Sequence, residues 1–296
     1  MSAVGAAAAV TELNRETVRF RYTNPSKVRQ FSPFRYPGGK TWLVPSVQQW
    51  MEGMSEKPDL FLEPFAGGAS VGLAVAAAGL AHTVMLVEKD PAVASVWQVI
   101  INGSDTALRI LLSQIESFTP ARENIRETLA GHGGSVVDLA FRSIVRNRCT
   151  RGGIMAGRAG LLRSGERGKG VASRWYPDTV IRRIRTVRAL AVAGKLTFEE
   201  GDGLSAIWSN PDAVLFVDPP YTASDSSAGS RLYTHHKLDH RQLFDLVADR
   251  LTPGLMSYDD TTEVRDLAEK HGMRVNEVEM QTAHHRTKRE LIIVTG

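Results

Sequence analysis

Short apolar runs of strand length alternate with helical runs in two separate parts of the chain. The first part has strand-like runs at 59–65 and 82–90 and an alanine-rich helical run at 70–80. The second part begins after Lys195, with strand-like runs at 195–202, 213–221, 254–260 and 290–296 and a helical run at 241–251. Alternation of this kind favours a parallel sheet that is covered by helices. The sequence therefore predicts an α/β domain that is interrupted by an insert.

The segment between the two parts is mainly helical and strongly basic. Between Phe141 and Arg188 it has thirteen Lys or Arg against two acidic residues, so it carries +11 and the remainder of the chain carries −7. A concentrated basic stretch is typical of a polyanion-binding face, and the alternative is a solvated surface or a basic linker. We predict a tail or arm at 1–30, an α/β domain at 31–100 and 191–296, and a nucleic-acid-binding insert at 101–190.

Composition sets several classes of protein aside. No apolar run reaches the length of a membrane span, and the short apolar N-terminus lacks the basic residues of a secretory signal. The single cysteine, Cys149, excludes an intramolecular disulfide and a cysteine-rich zinc site. The histidines at 235–240 and 284–285 lack a recognised ligand spacing. We expect a cytoplasmic protein with no metal and no membrane partner.

The stretch "FSPFRYPGGKTW" at 31–42 contains a Gly-Gly-Lys-Thr that is similar to a P-loop. A P-loop needs a glycine five residues before Gly39, and Phe34 occupies that position. Pro37 also removes one backbone N–H donor from a phosphate cradle. A nucleotide-phosphate site is therefore excluded, and the segment must serve another purpose.

A second glycine-rich stretch, "EPFAGGASVG" at 63–72, follows a predicted strand and opens a predicted helix. Open α/β sheets bind ligands at such positions, although the stretch does not match the dinucleotide fingerprint. Glu88 ends the next strand, where a carboxylate can accept both hydroxyls of a ribose. The pair indicates an adenosine-containing ligand without essential phosphates, such as S-adenosylmethionine. The alternative is a glycine turn that serves only packing.

The stretch "LFVDPPYTAS" at 215–224 ends an apolar strand in Asp218, Pro219, Pro220 and Tyr221. Successive prolines cannot continue a central strand, so they stiffen the chain at the sheet edge. Asp218 and the Pro219 carbonyl can accept the two N–H groups of an aromatic amine and stabilise the positive charge that develops on its nitrogen. Tyr221 can stack on the base. The alternative is a structural turn with a capping aspartate.

At this point the sequence resembles the Dam-type adenine-specific DNA methyltransferases over most of residues 32–296. The motifs that carry the resemblance are "RYPGGK" (35–40), "FLEPFAGGASVG" (61–72), "VEKD" (87–90), "FEEGD" (198–202), "DPPY" (218–221) and "SYDDT" (257–261). The resemblance implies a Rossmann-like S-adenosylmethionine-dependent methyltransferase sheet with a helical target-recognition insert. It also implies that Lys40 pairs with the cofactor's carboxylate and that Asp202 takes the cofactor's adenine amine.

The resemblance places further residues around the cofactor and the DNA. The implied cofactor contacts are Tyr36, Gly38, Gly39, Lys40, Glu63, Pro64, Phe65, Gly67, Gly68, Glu88, Asp202 and Asp218. The implied catalytic residues are Asp218, Pro219, Pro220 and Tyr221. The candidates for reading bases in the major groove are Arg148, Arg151, Arg158 and Arg163.

The predicted reaction is methyl transfer to the N6 amine of an adenine that is flipped out of duplex DNA. The "TASDSSAGSRLY" loop is expected to close as a lid. Cytosine-N4 methylation, an RNA substrate and a catalytically silent DNA-binding protein remain alternatives. A companion restriction endonuclease, and so a place in a restriction-modification system, is left open by the sequence.

Overall fold

The computed structural model describes residues 18–36, 38–153, 155, 160–163, 168–220, 238–281 and 287–295. In these ranges seven strands form one sheet: β1 (Leu60–Glu63), β2 (Thr83–Glu88), β3 (Leu196–Glu200), β4 (Val214–Val217), β5 (Gly254–Asp259), β6 (Arg274–Gln281) and β7 (Thr287–Thr295). Their order is β3-β2-β1-β4-β5-β7-β6. Strands β1 to β5 pair in parallel, and β7 is antiparallel to both β5 and β6.

Helices cover both faces of this sheet. They are α1 (Val44–Glu52), α2 (Ser70–Ala78), α3 (Pro91–Trp97), α4 (Asp105–Ser117), α5 (Arg122–Ala130), α6 (Val136–Cys149), α7 (Pro177–Val192), α8 (Gly203–Ser209), α9 (His240–Ala248) and α10 (Thr262–Lys270). A π turn at Gln98–Asn102 continues α3. Across the described ranges, no helix is long and apolar enough to cross a membrane. The predicted α/β fold with a Rossmann-like sheet is confirmed.

The predicted element ends differ from the observed ones for local reasons. Helix α2 ends at Ala78, two residues before the predicted end, because Gly79 adopts a left-handed φ of 67° and its N–H bonds to the Ala76 carbonyl. Strand β4 is buried over its whole length and ends at Val217, one residue before the Asp-Pro-Pro corner. The sharp stop therefore falls where the prolines require it.

Strand β6 is the strand that the sequence patterns did not indicate. It lies at the edge of the sheet and pairs with β7. Its inner residue Val278 is buried, whereas Glu277 and Glu279 on either side are exposed. Charged side chains on an edge strand reduce unwanted strand pairing, and they also obscure the apolar signal by which strands are predicted.

Two apolar clusters lie on opposite sides of the sheet. One contains Phe61 and Trp97 and continues without interruption to Leu111, Ile144 and Ile184 in the insert helices. The other lies on the opposite face and includes Leu62, Val217, Phe244 and Met256. The insert thus shares a core with the sheet. The predicted insert boundary at 190 falls inside α7, which packs against β3, and the division into domains otherwise stays a prediction.

The described part of the predicted tail contacts α1 through the Arg21 N–H, which donates to Ser46 Oγ at 3.2 Å, and also contacts the 3-10 turn Lys40–Leu43 before α1. Phe20 is buried, and the Thr23 N–H donates to the Trp42 carbonyl at 3.2 Å. Farther along, Arg183 of α7 donates to the Ser32 carbonyl at 3.0 Å. These contacts connect the start of the chain to both the sheet domain and the insert.

Candidate active site

Acidic side chains collect at the carboxyl edge of the parallel sheet. Glu63, Glu88 and Asp259 are the last residues of their strands, and Asp218 and Asp202 follow β4 and β3. The carboxyl ends of parallel strands lie at one edge, which is where open α/β sheets bind ligands. The sheet therefore brings the acids from five separate motifs to one rim, which we call the acidic rim.

The glycine loop at 66–69 is tied to this rim by its backbone. The Gly67 N–H donates to Glu88 Oε2 at 2.7 Å, and the Gly67 carbonyl accepts the indole N–H of Trp97 at 3.0 Å. Gly67 has φ 46°, and Ala69 has φ 51°, a left-handed conformation that is uncommon for a residue with a side chain. The hydrogen bonds to Glu88 and Trp97 therefore fix the backbone conformation of the loop.

Tyr36 covers the glycine loop. A Cβ added at Gly67 would lie 2.7 Å from Tyr36 Cε1, and one at Gly68 would lie 2.7 Å from Tyr36 Cβ. Only glycine permits this close approach. The predicted Tyr36, Gly67 and Gly68 are therefore brought together, with the aromatic ring against the loop backbone.

Glu88 is a buried carboxylate that joins the loop to α3. Its Oε1 accepts the Asp90 N–H at 2.8 Å, while its Oε2 holds Gly67. Burial raises the pKa of Glu88 to about 7, although the hydrogen bonds from the backbone of Asp90 and Gly67 oppose that rise. Whether Glu88 also binds a ribose stays a prediction.

Glu63 occupies the equivalent place at the end of β1. Its Oε2 accepts the Gly72 N–H at 2.7 Å, which fixes the first turn of α2 on the strand. Burial raises the pKa of Glu63 well above its ordinary value, and the negative charge of Asp218 adds to the rise. Glu63 and Asp218 thus interact electrostatically across neighbouring strands.

Asp202 caps α8 and closes the β3 end of the rim. Its Oδ1 accepts the N–H groups of Leu204 and Ser205, and its Oδ2 pairs with Lys89 at 2.9 Å. Burial opposes its charge, but the hydrogen bonds from Lys89 and the backbone hold the pKa of Asp202 below its ordinary value. The sequence analysis did not single out Lys89.

Pro64 and Phe65 join the glycine loop to the start of α8. A Cβ at Gly203 would lie 2.5 Å from the Pro64 carbonyl oxygen and 2.6 Å from the Phe65 ring. This contact places two predicted cofactor residues directly beside Asp202.

Lys40 lies inside the rim and contacts Asp218. Its Nζ is 2.9 Å from Asp218 Oδ1, 2.7 Å from the Gly38 carbonyl and 3.7 Å from Glu290 Oε2. Lys40 is 2% exposed, whereas the Asp218 side chain is 21% exposed. The ammonium therefore faces protein acceptors, and the pairing of Lys40 with a cofactor carboxylate stays a prediction.

The remaining catalytic candidates follow Asp218 directly. Pro219 is buried and Pro220 is half-buried, just beyond the end of β4. Tyr221 and the predicted lid loop lie outside the described residues. Asp218 is the candidate whose carboxylate the structure places at the rim within reach of a ligand.

Asn147 connects the insert to the Gly-Gly-Lys segment. Its Oδ1 accepts the Arg35 N–H at 2.8 Å, and its Nδ2 donates to the carbonyls of Arg35 and Gly153 at 3.0 and 2.9 Å. Gly39 continues this segment, and its N–H bonds to the Tyr36 carbonyl. The insert thus sets the position of the loop that carries Tyr36 and Lys40.

The prediction that Arg148 contacts DNA is wrong. Arg148 is 3% exposed, and its guanidinium donates to the Pro33 carbonyl. Burial, together with the nearby charges of Arg183 and Arg35, lowers the pKa of Arg148 to about 9. The side chain braces the segment before Tyr36 and does not face a ligand.

The other arginine candidates have different environments. Arg151 and Arg163 are exposed on the insert, so a role in contacting DNA stays a prediction for both. Arg158 lies outside the described residues, as do His235, His236, His284 and His285. In the described ranges no group of three or more His, Cys, Asp or Glu side chains is arranged to hold a metal ion.

A cleft of about 240 Å³ opens beside Tyr36. It lies between the N-terminal arm, the Gly-Gly-Lys segment and the insert, and its lining includes Arg29, Arg35, Ser70 and Gly152. The sequence analysis had assigned no site role to Arg29 or Ser70.

No protein-family model matches the chain, and no curated protein matches it. Among solved structures, it is similar to a precorrin-6y C5,15-methyltransferase from Geobacter metallireducens at 12% identity and a TM-score of 0.36, covering 86% of this chain and 87% of that one. It is also similar to the rRNA methyltransferase aviRa from Streptomyces viridochromogenes at 14% identity and a TM-score of 0.37, covering 88% of this chain and 86% of that one.

Proposed function

We propose that this protein is an S-adenosylmethionine-dependent DNA methyltransferase that modifies the exocyclic N6 amine of a flipped-out adenine. The observation that carries the proposal is the contact between Lys40 and Asp218, which holds a partly exposed carboxylate at the rim directly before two prolines. A fixed and partly exposed carboxylate is suited to bind an aromatic amine.

The acidic rim fits the proposed cofactor. The half-buried Tyr36 ring packs on Gly67 and Gly68 and offers an aromatic side chain beside the loop on which an adenine ring could stack. Glu88 and Asp202 lie at the ends of adjacent strands, where ribose hydroxyls and an adenine amine would find acceptors. When bound, S-adenosylmethionine supplies an electrophilic methyl group on a positively charged sulfur.

Asp218 has a defined task in this proposal. Its carboxylate accepts an N–H of the target amine, which favours a lone pair localised on nitrogen, and it stabilises the positive charge that develops there. The nitrogen then loses one proton to the carboxylate or to water. Lys40 keeps the carboxylate in place, and rigid positioning of this kind is a large part of catalysis.

The choice of DNA rests on charge and on the resemblance to Dam-type enzymes. The segment between Phe141 and Arg188 carries +11, and Arg151, Arg163, Arg182 and Arg185 are exposed on it. Basic residues of this kind neutralise backbone phosphates. Methyltransferases reach a base in duplex DNA by flipping it out of the stack.

The test is methyl transfer from labelled S-adenosylmethionine to duplex DNA, followed by analysis of the product nucleosides. We expect N6-methyladenine, with Asp218→Ala reducing the transfer rate by roughly a hundredfold or more. The control is Asp249→Asn, an exposed aspartate after α9. N4-methylcytosine would assign the chemistry to cytosine, and preferential labelling of RNA would change the substrate. If the folded protein labels no polynucleotide at all, the proposal is wrong.

A further inference from the structure

Glu290 is a buried acid at an unexpected place. It lies in β7, directly before the buried residues Leu291, Ile292 and Ile293, and it is 4% exposed. A carboxylate that is removed from water is costly unless it is paired and hydrogen-bonded. A glutamate at this position therefore requires partners, and those partners show what it can do.

Two lysines lie on either side of the Glu290 carboxylate. Its Oε1 is 3.0 Å from Lys288 Nζ, and its Oε2 is 3.7 Å from Lys40 Nζ. Lys288 also contacts Asp259 Oδ1 at 2.8 Å, and the antiparallel register places Asp259 opposite Glu290. Burial would lower the pKa of Lys288, but its bonds to Asp259 and Glu290 raise it above its ordinary value.

The geometry around Lys40 explains why this matters for the rim. The Lys40 ammonium donates to the Gly38 carbonyl at 2.7 Å and pairs with Asp218 Oδ1 at 2.9 Å, and Glu290 Oε2 lies 3.7 Å away, at ion-pair distance but beyond a hydrogen bond. These groups come from the Gly-Gly-Lys segment, the end of β4 and the start of the buried part of β7. The negative charge of Glu290 attracts the ammonium from a third direction and so adds to the two shorter contacts in determining where the nitrogen lies.

We propose that Glu290 is a positioning residue for Asp218 and that it acts through Lys40. The proposal rests on the function proposed above, in which Asp218 binds the target amine. Glu290 holds the Lys40 ammonium under the Asp218 carboxylate, and Lys288 with Asp259 holds Glu290. A small displacement of a catalytic group can lower a rate by about a hundredfold, so the effect of Glu290 should appear in the transfer step.

The first test compares Glu290→Gln with Glu279→Gln, an exposed β6 glutamate that pairs with Arg289 at 2.9 Å. We expect Glu290→Gln to slow single-turnover methyl transfer by about ten- to a hundredfold. The dissociation constant of S-adenosylmethionine should change less than about threefold, because Glu290 is separated from the rim by Lys40. Glu279→Gln should behave like the wild type. An unchanged transfer rate in Glu290→Gln overturns the proposal.

The second test asks whether the effect passes through Lys40. In a Lys40→Met background, the added Glu290→Gln change should slow transfer less than about twofold, since residues that act through one another are not additive. An equally large loss in both backgrounds would mean that Glu290 acts by another route. Thermal unfolding of each variant separates a loss of folding from a loss of positioning.

A structural readout keeps the two proposals separate. In a crystal structure of the Glu290→Gln variant, Lys40 Nζ should move away from Asp218 Oδ1, from 2.9 Å to beyond hydrogen-bond distance. If Lys40 stays in place, the positioning role is wrong, even where transfer is slow. If the wild-type protein transfers no methyl group but Lys40 moves as expected, the function fails and the positioning role stands. If Glu290→Gln does not fold, Glu290→Asp is used in its place. This variant keeps the negative charge but draws the carboxylate back from Lys40 by one methylene group, so the position of Lys40 and the transfer rate can be compared in the same way.

Discussion

The buried carboxylate of Glu88 makes the stability of the protein depend on pH in a direction that can be tested. The folded chain holds the pKa of Glu88 at about 7, compared with 4.5 for the free side chain. The folded state therefore binds this proton more tightly than the unfolded state does. The resulting stabilisation is complete below pH 4.5 and is lost as the pH rises to about 7.

The size of the effect follows from the same two values. One pKa unit corresponds to about 1.4 kcal/mol, so the rise from 4.5 to about 7 is worth roughly 3 kcal/mol of unfolding free energy. Two contributions compete in this number: burial favours the neutral acid, and the N–H groups of Gly67 and Asp90 favour the anion. The prediction depends on burial being the larger of the two.

The measurement is urea unfolding of the wild type and of Glu88→Gln between pH 4.5 and 8. Glutamine is neutral throughout. As the pH rises across this range, the free energy of unfolding of the variant should therefore increase by about 3 kcal/mol relative to that of the wild type. The amide offers one oxygen to two N–H donors, but that defect does not depend on pH and cancels in the slope. Glu269→Gln, which changes an exposed residue of α10, is the control. Parallel pH curves for wild type and Glu88→Gln would refute the reasoning.

Two further substitutions test the packing and the hydrogen bonds that support the rim. Gly72→Ala should lower the free energy of unfolding by roughly 1 to 3 kcal/mol in urea, because its Cβ would lie 2.5 Å from Glu63 Oε2 and 2.8 Å from Leu86 Cδ2. Gly201→Ala meets its nearest neighbour at 3.4 Å and should stay within about 0.5 kcal/mol of the wild type. Asn147→Ala should lower the free energy of unfolding by about 2 kcal/mol or more. The change removes the Asn147 amide from its hydrogen bonds with the Arg35 backbone and the Gly153 carbonyl. An unchanged urea midpoint would show that the insert does not hold this loop.

Much of the fold was accessible from the sequence because each signal was local. The apolar run before Asp218 predicts β4, and two prolines predict its end. Glu88 ends β2 as expected, and β1 lies within the predicted run at 59–65, since buried parallel strands show as short apolar runs. Strand β6 was missed because an edge strand needs fewer apolar residues, and its charges break the pattern.

The error at Arg148 came from weighing charge above helical spacing. Val137, Ala140 and Ile144 are buried in α6, and Arg148 follows Ile144 by four residues on the same stripe. Residues spaced in this way lie on one face of a helix. The spacing of buried residues in α6 therefore indicates that Arg148 points inward. It does not indicate which group Arg148 contacts, because the Pro33 carbonyl is far away in the chain.

The Gly-Gly-Lys segment shows where sequence reasoning reaches its limit. A P-loop lysine projects its charge at a phosphate, and the absence of the first glycine excludes that use. In the structure the Lys40 charge is directed inward, towards Asp218 and Glu290. Asp218 follows β4, and Glu290 lies in β7, on the other side of β5. Because β7 runs antiparallel to β5, Glu290 pairs with Asp259 and so lies at the same edge of the sheet as Asp218. No pattern near residue 40 contains that arrangement, so only the strand order explains why a buried lysine follows these two glycines.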